Sequence, residues 1–332
     1  MIDFQDSFWA KDYLLYDSRR LISGKDTLFF AFRGRHQDGH KFIAEMYEKG
    51  VRNFVVRELP EEAKQQMSEA AFQVVENPLR CMQQLANFHR NQFTLPVIGI
   101  TGSNGKTIVK EWLYSMLSSD FRIVKSPKSY NSQIGVPLSV WELNKYHNLA
   151  IFEAGISKIN EMAALEEIIQ PKIGIFTNIG AAHDEGFTEI TDKINEKLKL
   201  FKNSEILIYN TDNSLLANEI NSLKNIELYS WGKSADSVWQ VAHQQSSFQQ
   251  TKVVLVHTGN RAKKYFFLPF TDAASIENAL NCIVLMLYFE IDENLIQQKI
   301  NTLHNLPMRL ELKEGQQGTQ IIDDTYSNDI SS

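Results

Sequence analysis

The sequence predicts an α/β protein in which a small N-terminal α/β unit precedes a larger, mostly parallel, doubly wound sheet. Three observations carry that expectation. Residues 97–107, VIGITGSNGKT, form an apolar run that breaks into a glycine-punctuated loop ending in Lys-Thr. Beyond it, as far as residue 223, short apolar runs alternate with amphipathic segments of helical length, the pattern of βα units in a parallel sheet. Ahead of it, residues 1–92 carry shorter strand and helix candidates of their own.

The first unit reads as strands at 27–32, 53–56 and 72–75, with a helix over 41–49 between the first two. Its connections hold Asp17-Ser18-Arg19-Arg20 and Gly34-Arg35-His36-Gln37-Asp38-Gly39-His40. Loops this rich in Arg, Asp and Gly either clasp a phosphorylated or sugar-like ligand or serve as solvated turns, and the residues alone leave both open. A helix over 79–93 leads to the junction. Strands follow at 97–100, 122–125, 149–153, 173–178 and 205–209, with helices over 108–117, 160–169, 188–201 and 214–223. After residue 225, alternating segments at 238–244, 252–257 and 265–268 suggest an antiparallel extension of the same sheet. Helices over 274–288 and 293–303 come next, and Pro307-Met308-Arg309 marks an exit. Residues 320–323 read as a strand with no evident neighbour, either docked on the preceding sheet or paired with chain beyond residue 332.

With 332 residues the chain has room for two domains and the start of a third, expected at 1–92, 93–313 and 314–332. A hydrophobic content of 43% and a charged content of 22% are ordinary for a globular protein. The net charge of −6 argues against general nucleic-acid binding, although a local basic groove remains compatible with an anionic substrate. The N-terminus carries acids where a signal peptide has basic residues, and the longest apolar run, 283–289, is too short to span a bilayer. Cys81 and Cys282 stand far apart and outside any metal-binding spacing, so they read as buried thiols of a reducing compartment. The expectation is a cytoplasmic protein.

The chemistry of the loop explains its residues. Gly102 and Gly105 permit a tight turn in which the backbone of Gly102, Ser103, Asn104 and Gly105 faces phosphate oxygens. Lys106 reaches toward β- and γ-phosphates, the Thr107 hydroxyl is placed to ligate Mg²⁺, and the helix that follows offers its N-terminus to the anion. The spacing is T-G-x-x-G-K-T, shorter than the common form because Ile100 stands where the first glycine would be.

Ligands of open parallel sheets bind at the C-terminal ends of the strands, which singles out residues just after each apolar run. Glu153 closes the run 149–152 and is placed either to ligate Mg²⁺ or to cap the next helix. His183 follows the strand at 173–178 by a few residues, where a lone histidine is more often a surface or core residue than a ligand. Lys193, Lys197, Lys199 and Lys202 alternate with acids and apolar residues, which reads as a solvated helix face. Asn131 and Ser132 lie in a polar loop, YNSQIGVPL at 130–138, able to face a ligand beside the phosphates. Asn278, an amide amid apolar neighbours, either faces a nucleobase or is exposed.

Together these pieces resemble the Mur ligase family of ATP-dependent amide-forming enzymes. The matching segments are TGSNGKT at 101–107, YNSQIGVPL at 130–138, FEAG at 152–155, AHDEGF at 182–187 and DDTYSN at 323–328. Within the family, DSR at 17–19, the stretch 28–42 and DDTYSN are most similar to the branch that joins D-alanyl-D-alanine to a UDP-N-acetylmuramoyl-tripeptide. The resemblance implies that Lys106 and Thr107 hold ATP phosphates and a first Mg²⁺ shared with Glu153, and that His183 helps bind a second. It implies a carbamylated lysine at Lys197, nucleotide contacts from Asn278 and Arg309, and a domain junction at Asp324. It places Ser18 and Arg19 near the uridine part of the substrate.

Two segments depart from the family pattern. Asp272, Ala273 and Ala274 stand where a glycine and a histidine are frequent, and Leu198-Lys199 follows Lys197 in place of Gly-Glu. Family members continue for a further domain after DDTY, which implies that the chain is part of a longer protein. The alternatives are another Mur-type or folylpolyglutamate-type ligase, or a nucleotide-binding module without ligation.

Overall fold

The computed structural model describes residues 2–34, 37–59, 61, 66–180, 186–306, 311–314, 319–323 and 325. Its first unit is a four-stranded parallel sheet in the order β1 (Tyr13–Leu15), β2 (Thr27–Phe30), β3 (Asn53–Val56) and β4 (Ala71–Val74). Every residue of β2 and β3 is buried, because alternate side chains enter two different cores. Phe29, Phe54 and Val56 pack on Ile43 and Met46 of the helix Ile43–Glu48. Leu28, Phe30 and Val55 pack on Trp9 and on Cys81, Met82 and Leu85 of the helix Pro78–Arg90. Burial pushes the Cys81 thiol up to about 12, which makes it inert. β1 is too short for an alternation signal and was not expected from the sequence.

The helix Pro78–Arg90 starts cleanly, with the Asn77 side chain accepting from Arg80 N and proline in its first turn. It joins the two units. Gln83 Nε2 donates to Gln133 Oε1 at 2.9 Å, and Arg90 Nε donates to the Ile169 carbonyl at 3.1 Å.

The second unit is a nine-stranded sheet ordered β13-β12-β11-β10-β9-β8-β5-β7-β6. Its parallel part comprises β5 (Val97–Thr101), β6 (Ile123–Lys125), β7 (Leu149–Glu153), β8 (Ile173–Phe176), β9 (Ile206–Asn210) and β10 (Glu227–Gly232). β5 lies between β7 and β8, so its C-terminal end is flanked by strand ends on both sides. One face is covered by the helices Lys106–Leu117, Ala273–Tyr288 and Glu293–Ile300. The other carries Gly135–Trp141, Met162–Ile169, Ile190–Leu198 and Ser214–Asn221. Helices on both faces are what a parallel sheet requires, and the doubly wound expectation holds.

The strands β11 (Trp239–Ser246), β12 (Thr251–His257) and β13 (Lys263–Leu268) form the expected antiparallel extension. The parallel strand β10 was not expected. Its connection to β11, residues 233–238, is too short for a crossover helix. Instead β11 begins beside the last two residues of β10, Trp231 opposite Trp239 and Gly232 opposite Gln240, so the chain steps sideways. The sheet ends at β13, whose outward backbone groups meet side chains of the helix Glu293–Ile300. Tyr265 N donates to Glu293 Oε1 at 2.7 Å, Phe267 N donates to Gln297 Oε1 at 2.8 Å, and Gln297 Nε2 donates to the Phe267 carbonyl at 2.9 Å.

The strand at 320–323 does have a neighbour within the chain. Gln320–Asp323 pairs antiparallel with Glu311–Glu314 in a separate two-stranded sheet, so among the described residues it does not dock on the preceding sheet. The exit residues Pro307, Met308 and Arg309 lie outside the described residues.

Two outcomes follow. Gln297→Ala removes both bonds to Phe267 and should lower stability by about 1 to 2 kcal/mol, with faster hydrogen exchange at the Phe267 amide; unchanged exchange there sinks the edge-capping account. Burial raises the Asp38 carboxyl, but hydrogen bonds from His40 and Arg33 outweigh it and bring it down to about 2, from 3.8. Asp38 therefore contributes stability in full above pH 3.8, and that contribution is lost as pH falls toward 2. Asp38→Asn should remove this part of the acid sensitivity in unfolding curves between pH 2 and 5.

Candidate active site

Of the four residues between β5 and the helix Lys106–Leu117, two turn the chain at positive φ, +146° at Gly102 and +81° at Gly105. A Cβ at Gly102 would stand 2.0 Å from Thr177 Oγ1, and one at Gly105 would stand 2.2 Å from Asn278 Oδ1. Glycine is therefore required twice over, by conformation and by room. The loop is held from below by the residues after β8. Ser103 N donates to the Asn178 carbonyl and Asn104 N to Asn178 Oδ1, each at 2.9 Å, and Thr177 Oγ1 donates to the Asn104 carbonyl. The N–H groups of Ser103 and Asn104, expected to face phosphate, are thus paired with Asn178.

Two ammonium groups converge on the loop's carbonyls. Lys106 Nζ donates to Gly102 O at 2.9 Å and Ser103 O at 2.8 Å; Lys197 Nζ donates to Gly102 O at 3.0 Å. Lys197 is 3% exposed, and Lys193 and Glu196 are equally buried, so the solvated-face reading fails for these residues, whereas Asp192, Asn195, Lys199 and Lys202 are exposed as it expects. Lys197 is turned inward onto the Gly102 carbonyl. Lys199 pairs with Glu196 at 2.5 Å, while Glu196 also accepts from Met162 N at 3.0 Å.

Thr107 and Glu153, far apart in sequence, meet here. Thr107 Oγ1 donates to Glu153 Oε2 at 3.0 Å and lies 2.9 Å from Ser129 Oγ. Glu153 is wholly buried at the end of β7, with its N–H on Ser126 Oγ at 3.1 Å and Asn131 Nδ2 at 3.4 Å from Oε2. Its other oxygen, Oε1, lies 2.9 Å from Lys110 Nζ. A hydroxyl and a carboxylate side by side are hard oxygen donors of the kind Mg²⁺ takes. Among the described residues no three His, Cys, Asp or Glu side chains converge as a closed metal cage. The helix-capping alternative for Glu153 finds no counterpart in its contacts.

Asn278 is 3% exposed and packs against Gly105, which excludes the exposed alternative. Beside it opens a cleft of about 360 Å³ lined by Asn104, Asn178, Asn210, Asp212, Asn213 and Glu277 among others. Burial, and then the Asp212 charge, raise the Glu277 carboxyl. The sequence reading missed Asn178, Asn210, Asp212 and Asn213 because Asn and Asp after an apolar run look like turn formers. It also missed Lys110, although Lys110 shares a helix face with Lys106 and Thr107, four and three residues before it. His183, Arg309 and Asp324 lie outside the described residues.

Of the expected substrate contacts, Asn131 joins the site through Glu153, whereas Ser132 Oγ accepts from Gly135 N, at the start of the helix Gly135–Trp141, at 3.2 Å. Ser18 and Arg19 sit in the first unit, in the short helix Ser18–Arg20 capped by Asp17. The Arg19 guanidinium is paired with the Asp17 carboxylate and holds it below its usual range. Arg20 lies 5.7 Å from the Tyr130 ring centre, and both line a cavity of about 170 Å³ between the two units.

Gly102→Ala should lower stability by about 2 to 4 kcal/mol, since the new methyl meets both a side chain and backbone at a strained φ. Gly155→Ala, where the nearest atoms are the movable Asn131 amide at 3.0 Å, should lose about 1 kcal/mol or less. Urea unfolding of both checks the contrast, and equal losses would refute the close-approach account.

Residues 100–286, more than half of the chain, match the Mur ligase middle domain. The UDP-N-acetylmuramoyl-tripeptide–D-alanyl-D-alanine ligase of Bacillus subtilis is 29% identical over 94% of this chain and 66% of its own length. The enzyme of that name from Synechocystis is 40% identical over 50% of this chain and 36% of its own. The chain thus spans less than two thirds of the length of either relative. Among solved structures, MurF from Acinetobacter baumannii superposes with a TM-score of 0.84 at 26% identity, covering 95% of this chain and 68% of that one. With the shortened phosphate loop, the buried strand-end glutamate and this match across the sheet that carries them, the chain belongs to the Mur ligase family.

Proposed function

We propose that this chain carries the UDP-substrate and ATP sites of a ligase that joins D-alanyl-D-alanine to UDP-N-acetylmuramoyl-tripeptide through an acyl phosphate. The observation that carries the reading is the meeting of Thr107 and Glu153 at the end of the TGSNGKT loop, whose Gly102 carbonyl accepts from the Lys106 and Lys197 ammonium groups. The similarity to ligases of that name along most of the chain supports the substrate. Residues 1–92 are proposed as the UDP-substrate domain, 93–313 as the ATP domain and 314–332 as the start of the next.

In this reading the first turn of the helix Lys106–Leu117 and the Lys106 side chain hold the ATP phosphates. Thr107 Oγ1 and Glu153 Oε2 would hold Mg²⁺, which neutralises phosphate charge that otherwise repels the incoming carboxylate. Lys106 stabilises charge on the γ-phosphoryl group as it passes to the terminal carboxylate of the tripeptide. The amine of D-alanyl-D-alanine then attacks the acyl carbon, the amide forms and phosphate leaves, with no covalent bond to a side chain. Asn278, the cleft beside it and Arg309 take the nucleoside, while Asp324 stands at the following junction. Ser18, Arg19, Asn131 and Ser132 belong to the UDP-substrate side. A second Mg²⁺ at His183 and a carbamylated Lys197 rest on the family resemblance; the position of Lys197 on the loop is compatible with them.

Calorimetric titration tests the reading. The chain should bind UDP-N-acetylmuramoyl-tripeptide more tightly than UDP and should not bind reduced folate. Binding of folate instead would transfer it to a folylpolyglutamate-type ligase. Lys106→Met should weaken Mg²⁺-ADP binding roughly 10- to 100-fold, the loss of one charge-assisted phosphate contact; an unchanged affinity removes Lys106 from the site.

A further inference from the structure

Lys110 is a lysine with no exposed surface, one helical turn beyond Lys106 on the face turned to the sheet. A buried ammonium persists only where its charge and its donors are matched. Here they are. Nζ lies 2.9 Å from Glu153 Oε1 and 3.0 Å from Glu111 Oε1, and donates to the Ser126 carbonyl at 2.8 Å and to the Lys128 carbonyl. Glu111 is in turn paired with Lys125, so the two cations and two anions balance.

The arrangement separates the two oxygens of Glu153. Oε1 faces the ammonium as an ion pair without an aligned hydrogen bond, whereas Oε2 accepts from Thr107 and lies near Asn131. The same ammonium grips the carbonyls of the 126–128 turn, where Lys128 adopts φ +49°. That turn leads directly to Ser129, on Thr107, and to Asn131, on Glu153. One buried cation thus touches the carboxylate and anchors the loop that supplies the other partners of both candidate metal ligands.

We infer that Lys110 is a positioning residue: it fixes the Glu153 carboxylate so that Oε2 faces Thr107 and a Mg²⁺ ion bound there. The inference rests on the reading of Thr107 and Glu153 as metal ligands. Without Lys110 the carboxylate loses the charge that selects its orientation, and the 126–131 loop loses its anchor. Nucleotide contacts made by Lys106 and the helix N-terminus do not pass through Lys110. The effect is therefore confined to the metal-dependent part of binding.

The test is calorimetric titration of the full chain with ADP, in Mg²⁺ and in EDTA, for the native protein, Lys110→Met and Lys110→Gln. Glu153→Gln serves as the reference for complete loss of the Mg²⁺ gain. The expected result is an affinity in EDTA within about threefold of the native protein, and a gain on adding Mg²⁺ that is at least tenfold smaller. In the Glu153→Gln background, Lys110→Gln should produce no further loss of that gain, because the two act through one contact. Should Lys110→Met prove too unstable to purify, Lys110→Gln, which keeps a donor for the 126–128 carbonyls, carries the test. Equal losses with and without Mg²⁺ would show a purely structural strut and overturn the inference. An unchanged or larger Mg²⁺ gain, the latter marking an ammonium that competes with the metal, overturns it too. A native protein that gains nothing from Mg²⁺ defeats the metal reading of Thr107 and Glu153, and this inference falls with it.

Discussion

Where β5 gives way to the helix Lys106–Leu117, the backbone runs so close to Thr177 and Asn278 that a methyl group would overlap them. That close approach organises the whole edge of the sheet. It brings the end of β8 and the helix Ala273–Tyr288 against one short loop, although their sequence positions are remote. Lys106, Thr107 and Lys110 then descend one helix face toward the end of β7 and the turn after β6. The site is an outcome of strand order: β5 lies between β7 and β8, so both neighbouring strand ends open beside it.

Charge is concentrated at this edge: Lys110, Glu153 and Lys197, with a contact to the loop or to the first turns of the helix after it, are all buried. Desolvating such groups is expensive, and replacing pairs of them by apolar residues commonly leaves stability unchanged or raises it. Their presence at the C-terminal ends of the strands therefore speaks for chemistry rather than for folding. The apolar layers on both faces of the sheet supply the stability that this edge consumes.

The fold was legible wherever a local signal spoke alone. The step from strand through TGSNGKT to helix declared itself by glycine, lysine and threonine at fixed spacing, and β7, at 149–153, ends on the expected glutamate. β10 was illegible because ELYSWG mixes buried and half-exposed residues, and its side step into β11 has no sequence signature. The helix Ile190–Leu198 misled for a physical reason. Alternating Lys and Glu mark a wet surface only when no polar site adjoins, and burial of Lys197 depends on a loop almost a hundred residues earlier. Lys110 was hidden in the same way, since its partners other than Glu111 come from the chain sixteen to forty-three residues later.

The far edge of the sheet carries a different lesson. β13 is closed by Glu293 and Gln297, whose partners lie 28 and 30 residues earlier in the chain. During synthesis the strand emerges before its cover does. At ribosomal speeds that interval is on the order of seconds. For that time Tyr265 and Phe267 stand on an open strand edge, the kind of surface that recruits other chains. The last helix of the sheet thus acts as a stopper fitted late, and how long the nascent chain stays vulnerable is set by the length of sequence between the edge and its cap.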